Sequence, residues 1–348
     1  MCRLSLILVA LAACGGSPKP PPTAPLPEEP KPAAPTAEAT PAAPATPPAP
    51  AATQPAAPER GAVELKIPAP ETTVKMVSSG TGKKQAMRYT PKPGAKQTIE
   101  LAMDFTGKQD AEEKVVPTLV LIGQAETKAV DGDGNTEFTV TVTGTDARAV
   151  TGSQIPIEQF KTVLGGLSGL TIGGKLGATG TAGDVTIRLD NASRDLGDAL
   201  QLIKLTMPVL PVLPKEAIGV GAKWQSTTSA KLVERLDVTQ VTDYQLVAHK
   251  GSTWTITGKT KVTGKDQSIE NSKVTGIAGT GTSELTIADG TLYPTYKSSL
   301  ETQFKASEQD KSIVIVLKVG GAVTPGTEAA KTPSRPQPTA PQAPPATR

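Results

Sequence analysis

"TEFTVTVT", Thr136 to Thr143, alternates without a break, with Phe138, Val140 and Val142 on one side and threonines on the other. A period of two marks a strand with one face buried and the other in water. Threonine suits the wet face because its branched Cβ fits the pleat while its hydroxyl reaches solvent. The same period recurs in "STWTITGKTKVTG" (252–264), which turns Trp254, Ile256 and Val262 inward, and in "SELTIADG" (283–290), which turns Leu285 and Ile287 inward. It continues through "TYKSSLETQF" (295–304) with Tyr296, Leu300 and Phe304, and "KSIVIVLKVG" (311–320) with Ile313, Ile315 and Leu317. The pattern predicts nine to eleven antiparallel strands and a mainly β (α+β) fold.

Two segments follow a helical period instead. "SQIPIEQFKTVLGGL" (153–167) spaces Ile157, Phe160, Leu164 and Leu167 along one face, carries Pro156 where a missing N–H does no harm, and ends at Gly165-Gly166. This predicts a helix near 155–166. "DNASRDLGDALQLIKLTMP" (190–208) aligns Leu196, Ala199, Leu200, Ile203 and Met207, with Asp190 or Asn191 as cap and Asp195 favoured in the first turn by the helix dipole. A second amphipathic helix is expected near 192–207, stopped by Pro208, Pro211 and Pro214. A sheet of this size twists and curls. The expected architecture is a large curled antiparallel sheet or half-barrel, its concave face covered by the two helices. Two phrases recur in the same order, "GAKQ" (94–97) with "GAKWQ" (221–225), then "GATGTAGDVTIRLDN" (177–191) with "GIAGTGTSELTIADG" (276–290). They point to an internal duplication.

The flanks are of another kind. From Gly15 to Arg60 the chain holds sixteen prolines among alanines and threonines, too little apolar area to bury a core. Residues 14–61 therefore read as a partly polyproline-II tether and 322–348 as a second proline-rich, disordered tail, leaving 62–321 as the folded domain. Ahead of the tether, "MCRLSLILVALAACGG" opens with Arg3 and an apolar run from Leu4 to Ala13. Such a run makes a helix of about 15 Å, half of a ~30 Å hydrocarbon core, so it is a targeting segment (1–13) and not a span. Leu11-Ala12-Ala13-Cys14 resembles the lipobox of a bacterial lipoprotein precursor. The resemblance implies cleavage before Cys14, a diacylglycerol thioether on its sulfur, and two or three acyl chains that anchor the product to the envelope, palmitate among the candidates. Gly15-Gly16 after the cysteine favours the outer membrane, with the domain facing the periplasm or the cell surface. A curled sheet with a helical lid also resembles the half-barrel of bacterial lipoprotein carriers. "PKEAIGVGAKW" (214–224) resembles uncharacterised β-rich envelope lipoproteins.

Composition narrows the chemistry. The net charge is +3 without a basic block and aromatics are 3%, which argues against nucleic-acid binding. Cys2 departs with the leader and Cys14 is consumed by lipid, so no thiol remains for a disulfide, metal or nucleophile. His249 is the single imidazole, without partners for metal or base chemistry. "DGDGNTE" (131–137) begins like a calcium loop but has Thr136 where the turn glycine belongs and Val142 where the bidentate glutamate belongs, so it reads as a hairpin turn. "GTGKK" (80–84) lacks the spacing and the Ser or Thr of a phosphate loop. There is no G-x-S-x-G, and the domain has no S-x-x-K. No catalytic residue, metal or cofactor is assigned. The expected function is non-catalytic binding or carriage of an apolar or amphiphilic molecule, with Phe160, Leu164, Leu200, Ile203, Met207, Trp224 and Trp254 lining its cavity. The alternative is a structural or protein-interaction lipoprotein of the envelope, and an envelope hydrolase using paired carboxylates is the third reading.

Overall fold

The computed structural model describes residues 61–192, 196, 200, 203, 210–232, 236–269, 271–309 and 311–326. Cys14, the segment read as a leader, residues 14–60 of the expected tether and residues 327–348 of the expected tail lie outside them; residues 322–325, read as the start of that tail, belong to the strand Lys311–Pro325. Among the described residues the strands number seventeen, more than the nine to eleven expected, because short or weakly alternating segments also pair.

Fifteen strands form one antiparallel sheet. From one edge it runs β1 (Gly61–Ile67), β9 (Ala182–Ala192), β8 (Thr171–Leu176), β7 (Thr136–Arg148), β6 (Thr118–Val130) and β4 (Lys96–Gln109). It continues through β17 (Lys311–Pro325), β16 (Thr295–Glu308), β15 (Ser272–Ala288), β13 (Thr253–Thr263), β12 (Leu236–Lys250) and β11 (Lys223–Leu232) to β2 (Glu71–Ser78). Short strands β5 (Glu112–Val115) and β14 (Gln267–Ile269) pair with β4 and β15, while β3 (Thr81–Ala86) and β10 (Ala217–Val220) form a separate ribbon.

The two outermost strands are neighbours in the chain. Only Pro68, Ala69 and Pro70 separate β1 from β2, so the Cα atoms of Ile67 and Glu71 are at most about 14 Å apart. The sheet must therefore curl until its edges meet. An even number of antiparallel steps separates β1 from β2, so both run in the same sense. They act as halves of one strand, the first bonded to β9 and the second to β11. The sheet is not closed by hydrogen bonds. The changeover falls on prolines, which have no N–H to offer a ladder, and the Ala69 N–H between them donates to Asp184 Oδ1 at 2.8 Å.

Among the described residues one helix has defined ends, α1 (Ile157–Gly165), close to the expected 155–166. Pro156 is its N-cap, Phe160 and Leu164 are its buried residues, and it packs on β7. Most of the second expected helix, including Ala199 and Met207, lies outside the described residues. Asp190 and Asn191, read as its cap, belong to β9. Leu196, Leu200 and Ile203 are described and buried in the same apolar cluster as α1.

The strand order does not carry the duplication. "GAKQ" and "GAKWQ" each open a meander, at β4 and β11, and Gly94 and Gly221 share a positive φ that a side chain would strain. The second pair of phrases falls on the fifth long strand of the first meander, β9, and the fourth of the second, β15. Turn chemistry is common to the first pair alone.

Tight curvature needs small residues on the concave side, because inward Cβ atoms converge there. Gly258 is buried, and a Cβ on it would press on Ser283 Oγ and lie 2.9 Å from the Tyr244 ring. Gly258→Val is expected to cost about 1–3 kcal/mol by overpacking, read from the midpoint of urea unfolding. An unchanged midpoint would show that this wall has slack.

Candidate functional site

Strand alternation divides the sheet into an outer and an inner face. On the outside of the second meander stand Asp243, Lys259, Lys261, Glu284, Lys297, Glu301 and Lys318, all exposed. Inside, two apolar clusters lie at opposite ends of the strands. One contains α1, Leu285, Ile287, Trp254 and Trp224; the other contains Phe105, Leu236, Val262, Phe304 and Ile315.

Between the clusters, two rows of inward residues cross the sheet. Register pairs Trp224 with Tyr244, Tyr244 with Gly258, Gly258 with Ser283, Ser283 with Ser298, and Ser298 with Gly321. The second row runs Ser226, Thr242, Thr260, Gly281, Leu300, Val319. Neither row carries a charge. Tyr244, Ser283, Ser298, Gly321, Thr260, Gly281, Leu300 and Val319 are only half-buried although they point inward. The surface they leave open faces the hollow of the sheet, since their strands are buried on the same side above and below.

Aromatic packing shapes one wall of the hollow. Trp224 is buried, donates its indole N–H to the Val212 carbonyl at 3.0 Å, and stacks on Tyr244 with centroids 5.5 Å apart. Tyr244 in turn lies flat across Gly258. The hydroxyls are mostly partnered along the wall: Thr242 and Thr260 are 3.0 Å apart, as are Thr72 and Thr228. Tyr244 bonds Thr242, Tyr296 bonds Ser298, and Tyr89 donates to the Pro211 carbonyl at 3.1 Å. The Thr127 hydroxyl, wholly buried, has no hydrogen-bond partner among the described residues.

All four tyrosines of the chain, Tyr89, Tyr244, Tyr293 and Tyr296, are pushed above the ordinary phenol value, chiefly by burial. Tyr89, Tyr244 and Tyr296 also lie close enough for the charge of one phenolate to oppose the next. Near neutrality such groups donate hydrogen bonds and do not take up protons. A hollow with aromatic and aliphatic walls, hydroxyls and no charge suits a neutral polar group attached to an apolar body.

The residues expected to line a cavity are placed as follows. Phe160, Leu164, Leu200, Ile203, Trp224 and Trp254 do come together in one cluster, but each is at most 5% exposed. They pack against one another and their neighbours; Met207 lies outside the described residues. His249 stacks on Trp254 with centroids 3.7 Å apart. Asp131 Oδ1 accepts the amides of Asp133 and Asn135, both at 2.9 Å, which makes "DGDGNTE" the β6–β7 turn. "GTGKK" runs into β3, a strand, and not into a helix. A polar dish of about 450 Å³ opens on the outer face over Gly173, with Glu137, Lys175 and Asp184 at its rim. Asp184 is the residue that holds the Ala69 amide.

The inner rows escape a reading of the sequence that assigns threonine and serine to water. The parity that turns Trp254, Ile256 and Val262 inward also turns Gly258 and Thr260 inward, and that was the available signal.

Because burial raises all four phenols, the folded chain holds protons that the unfolded chain releases near pH 10. Stability is then intact below about pH 10 and falls as pH rises through it. Phenolate absorbance is expected to emerge together with loss of the circular dichroism signal. Phenolate appearing near pH 10 in a protein that is still folded would show open tyrosines.

Residues 202–291, about a quarter of the chain, match a family of unknown function (DUF6263). The match takes in β10 to β15 and with them the Trp224–Tyr244 stack. No curated protein and no solved structure matches the chain.

Proposed function

We propose that this protein is a lipid-anchored, non-catalytic binder of a neutral amphiphilic molecule, held in the hollow of the curled sheet. The observation that carries the reading is the uncharged, half-open belt between two closed apolar clusters. Its apolar walls would take the body of the ligand, and the hydroxyls of Ser298, Thr260 and Tyr244 its neutral head. The site shifts from the helix-facing residues first expected to the strand interiors, because the helix-facing side chains are already packed. In this reading α1 would form part of the cover.

The place of action rests on the Leu11–Cys14 motif. Acylated Cys14 would hold the chain at the bacterial envelope, the outer membrane by preference, and the proline-rich segment would let the domain range from it. The scaffold reading draws on the filled clusters and on the free sides of β1 and β2. It would require the belt to stay empty.

Mass spectrometry of small molecules co-purifying with the full chain is the direct measurement. A bound amphiphile is expected, and Ser298→Trp, which places an indole in the hollow, should abolish it while the far-ultraviolet dichroism is retained. Equal ligand content in the variant, or no ligand and no binding of a neutral fluorescent amphiphile by the parent, would remove the carrier reading. For the anchor, Cys14→Ser is expected to move the protein from the membrane to the soluble fraction; unchanged fractionation would refute acylation.

A further inference from the structure

Among the described residues four large hydrophobic side chains are exposed, and three of them, Val77 (63%), Val220 (42%) and Val247 (41%), gather at one corner of the domain. Exposed apolar residues scattered singly need no explanation, but a cluster does. Backbone bonds show the gathering. The Gly219 amide bonds the Ser79 carbonyl beyond the end of β2, and the Gly221 amide bonds the Leu246 carbonyl of β12, so Val220 sits between the chains that carry Val77 and Val247.

Each valine stands at an irregularity of its ladder. Register passes from Met76–Trp224 to Ser78–Lys223, which leaves Val77 as the extra residue, and from Leu246–Ile256 to Ala248–Thr255, which leaves Val247 as another. The β10–β3 pairing shifts between Ile218 and Val220. Bulges re-aim side chains, and here three of them turn valine out of the sheet.

Exposed lysines surround the corner: Lys75 on β2, Lys83 and Lys84 on β3, and Lys223 opposite Ser78. None has an ion-pair partner among the described residues, and Lys84 is held by Ser79 Oγ at 2.6 Å.

We propose that this corner docks the domain on an anionic phospholipid surface. Three separate valine tips offer too little area for a stable protein interface, which buries more than about 1,000 Å². They match the depth of the headgroup–acyl boundary, where lysine stems can lie along apolar surface while their ammonium groups meet phosphate. Each lysine near such a surface strengthens partition about fivefold. The inner sides of the same strand ends carry Met76, Trp224 and Leu246, so docking would bring a bilayer to one end of the hollow. This inference goes beyond the interior-binding reading and does not need it.

The test uses the full chain with Cys2→Ser and Cys14→Ser and a single thiol at Thr81→Cys, beside Val220, carrying an environment-sensitive fluorophore. On phosphatidylcholine vesicles containing about a quarter phosphatidylglycerol, a blue shift is expected that high salt weakens and pure phosphatidylcholine does not produce. The same label at Ser312→Cys, at the opposite end of the strands, should not respond, which separates corner docking from any vesicle binding by the leader. Lys75→Glu with Lys83→Glu and Lys223→Glu should lower partition by at least about tenfold, and joint Val77→Ser, Val220→Ser and Val247→Ser should remove the blue shift. No response at Thr81, an equal response at Ser312, or an equal shift with a soluble polyanion in place of vesicles would overturn the proposal. Loss of docking with the hollow still occupied would leave the carrier reading standing.

Discussion

A three-residue link, Pro68-Ala69-Pro70, governs the shape of the molecule. Because β1 and β2 occupy opposite ends of a single path of paired strands yet are adjacent in the chain, the sheet between them has to come round on itself. An open twisted sheet would expose two long edges to other chains. Here each edge is covered for part of its length by one half of the same ribbon, and the prolines set where the ribbon changes partner. The single amide left in the link is tied to Asp184, so the changeover is anchored to β9 as well as covalently joined.

The curl in turn decides what the inner face can hold. Large side chains cannot all converge on a concave surface, and the strands respond by placing Gly258, Gly279 and Gly281 along the inside of β13 and β15, with flanking rings and branches folded flat over them. Leu300 lies across Gly281 in the way that Tyr244 lies across Gly258, its Cδ1 3.1 Å from where a Cβ would be. Apolar bulk is kept for the two ends, where α1 and the segment around Leu213 fill one and β14 and Val116 border the other. A hydroxyl-lined middle is the geometric remainder of that distribution. Its lack of charge follows from alternation, since every lysine and acid on the bodies of these strands takes the outer position.

Much of the fold was legible. Alternation identified β7, β13, β15, β16 and β17, and the i, i+3, i+4 spacing with Pro156 and the paired glycines located α1 to within two residues at each end. The short strands β1, β2 and β3 escaped notice because their apolar residues are few and lie next to proline or glycine. Asp190 and Asn191 misled because cap-forming residues also serve the end of a strand. Of the repeated phrases, the first pair shares a glycine at positive φ ahead of a strand, Gly94 and Gly221, and the second falls on strands of different rank in the two meanders. Of the candidate site, the aromatic members Trp224 and Trp254 were found, but as wall material of a helix-covered pocket. The threonines, serines and glycines of the belt were missed, since the same residue types suit a wet outer face and a narrow inner one.

By itself, the sequence determined the alternation, and hence most of the long strands and the outward charge, because these depend on neighbours one to four residues apart. Tertiary structure alone decided which strands meet, that β1 and β2 share the closing position, and that Val77, Val220 and Val247 occupy one corner. The joins on which those facts turn, β1 to β9, β2 to β11, β3 to β10 and β4 to β17, link residues more than a hundred apart in the chain, where loop closure and curvature, and not local periodicity, set the partners.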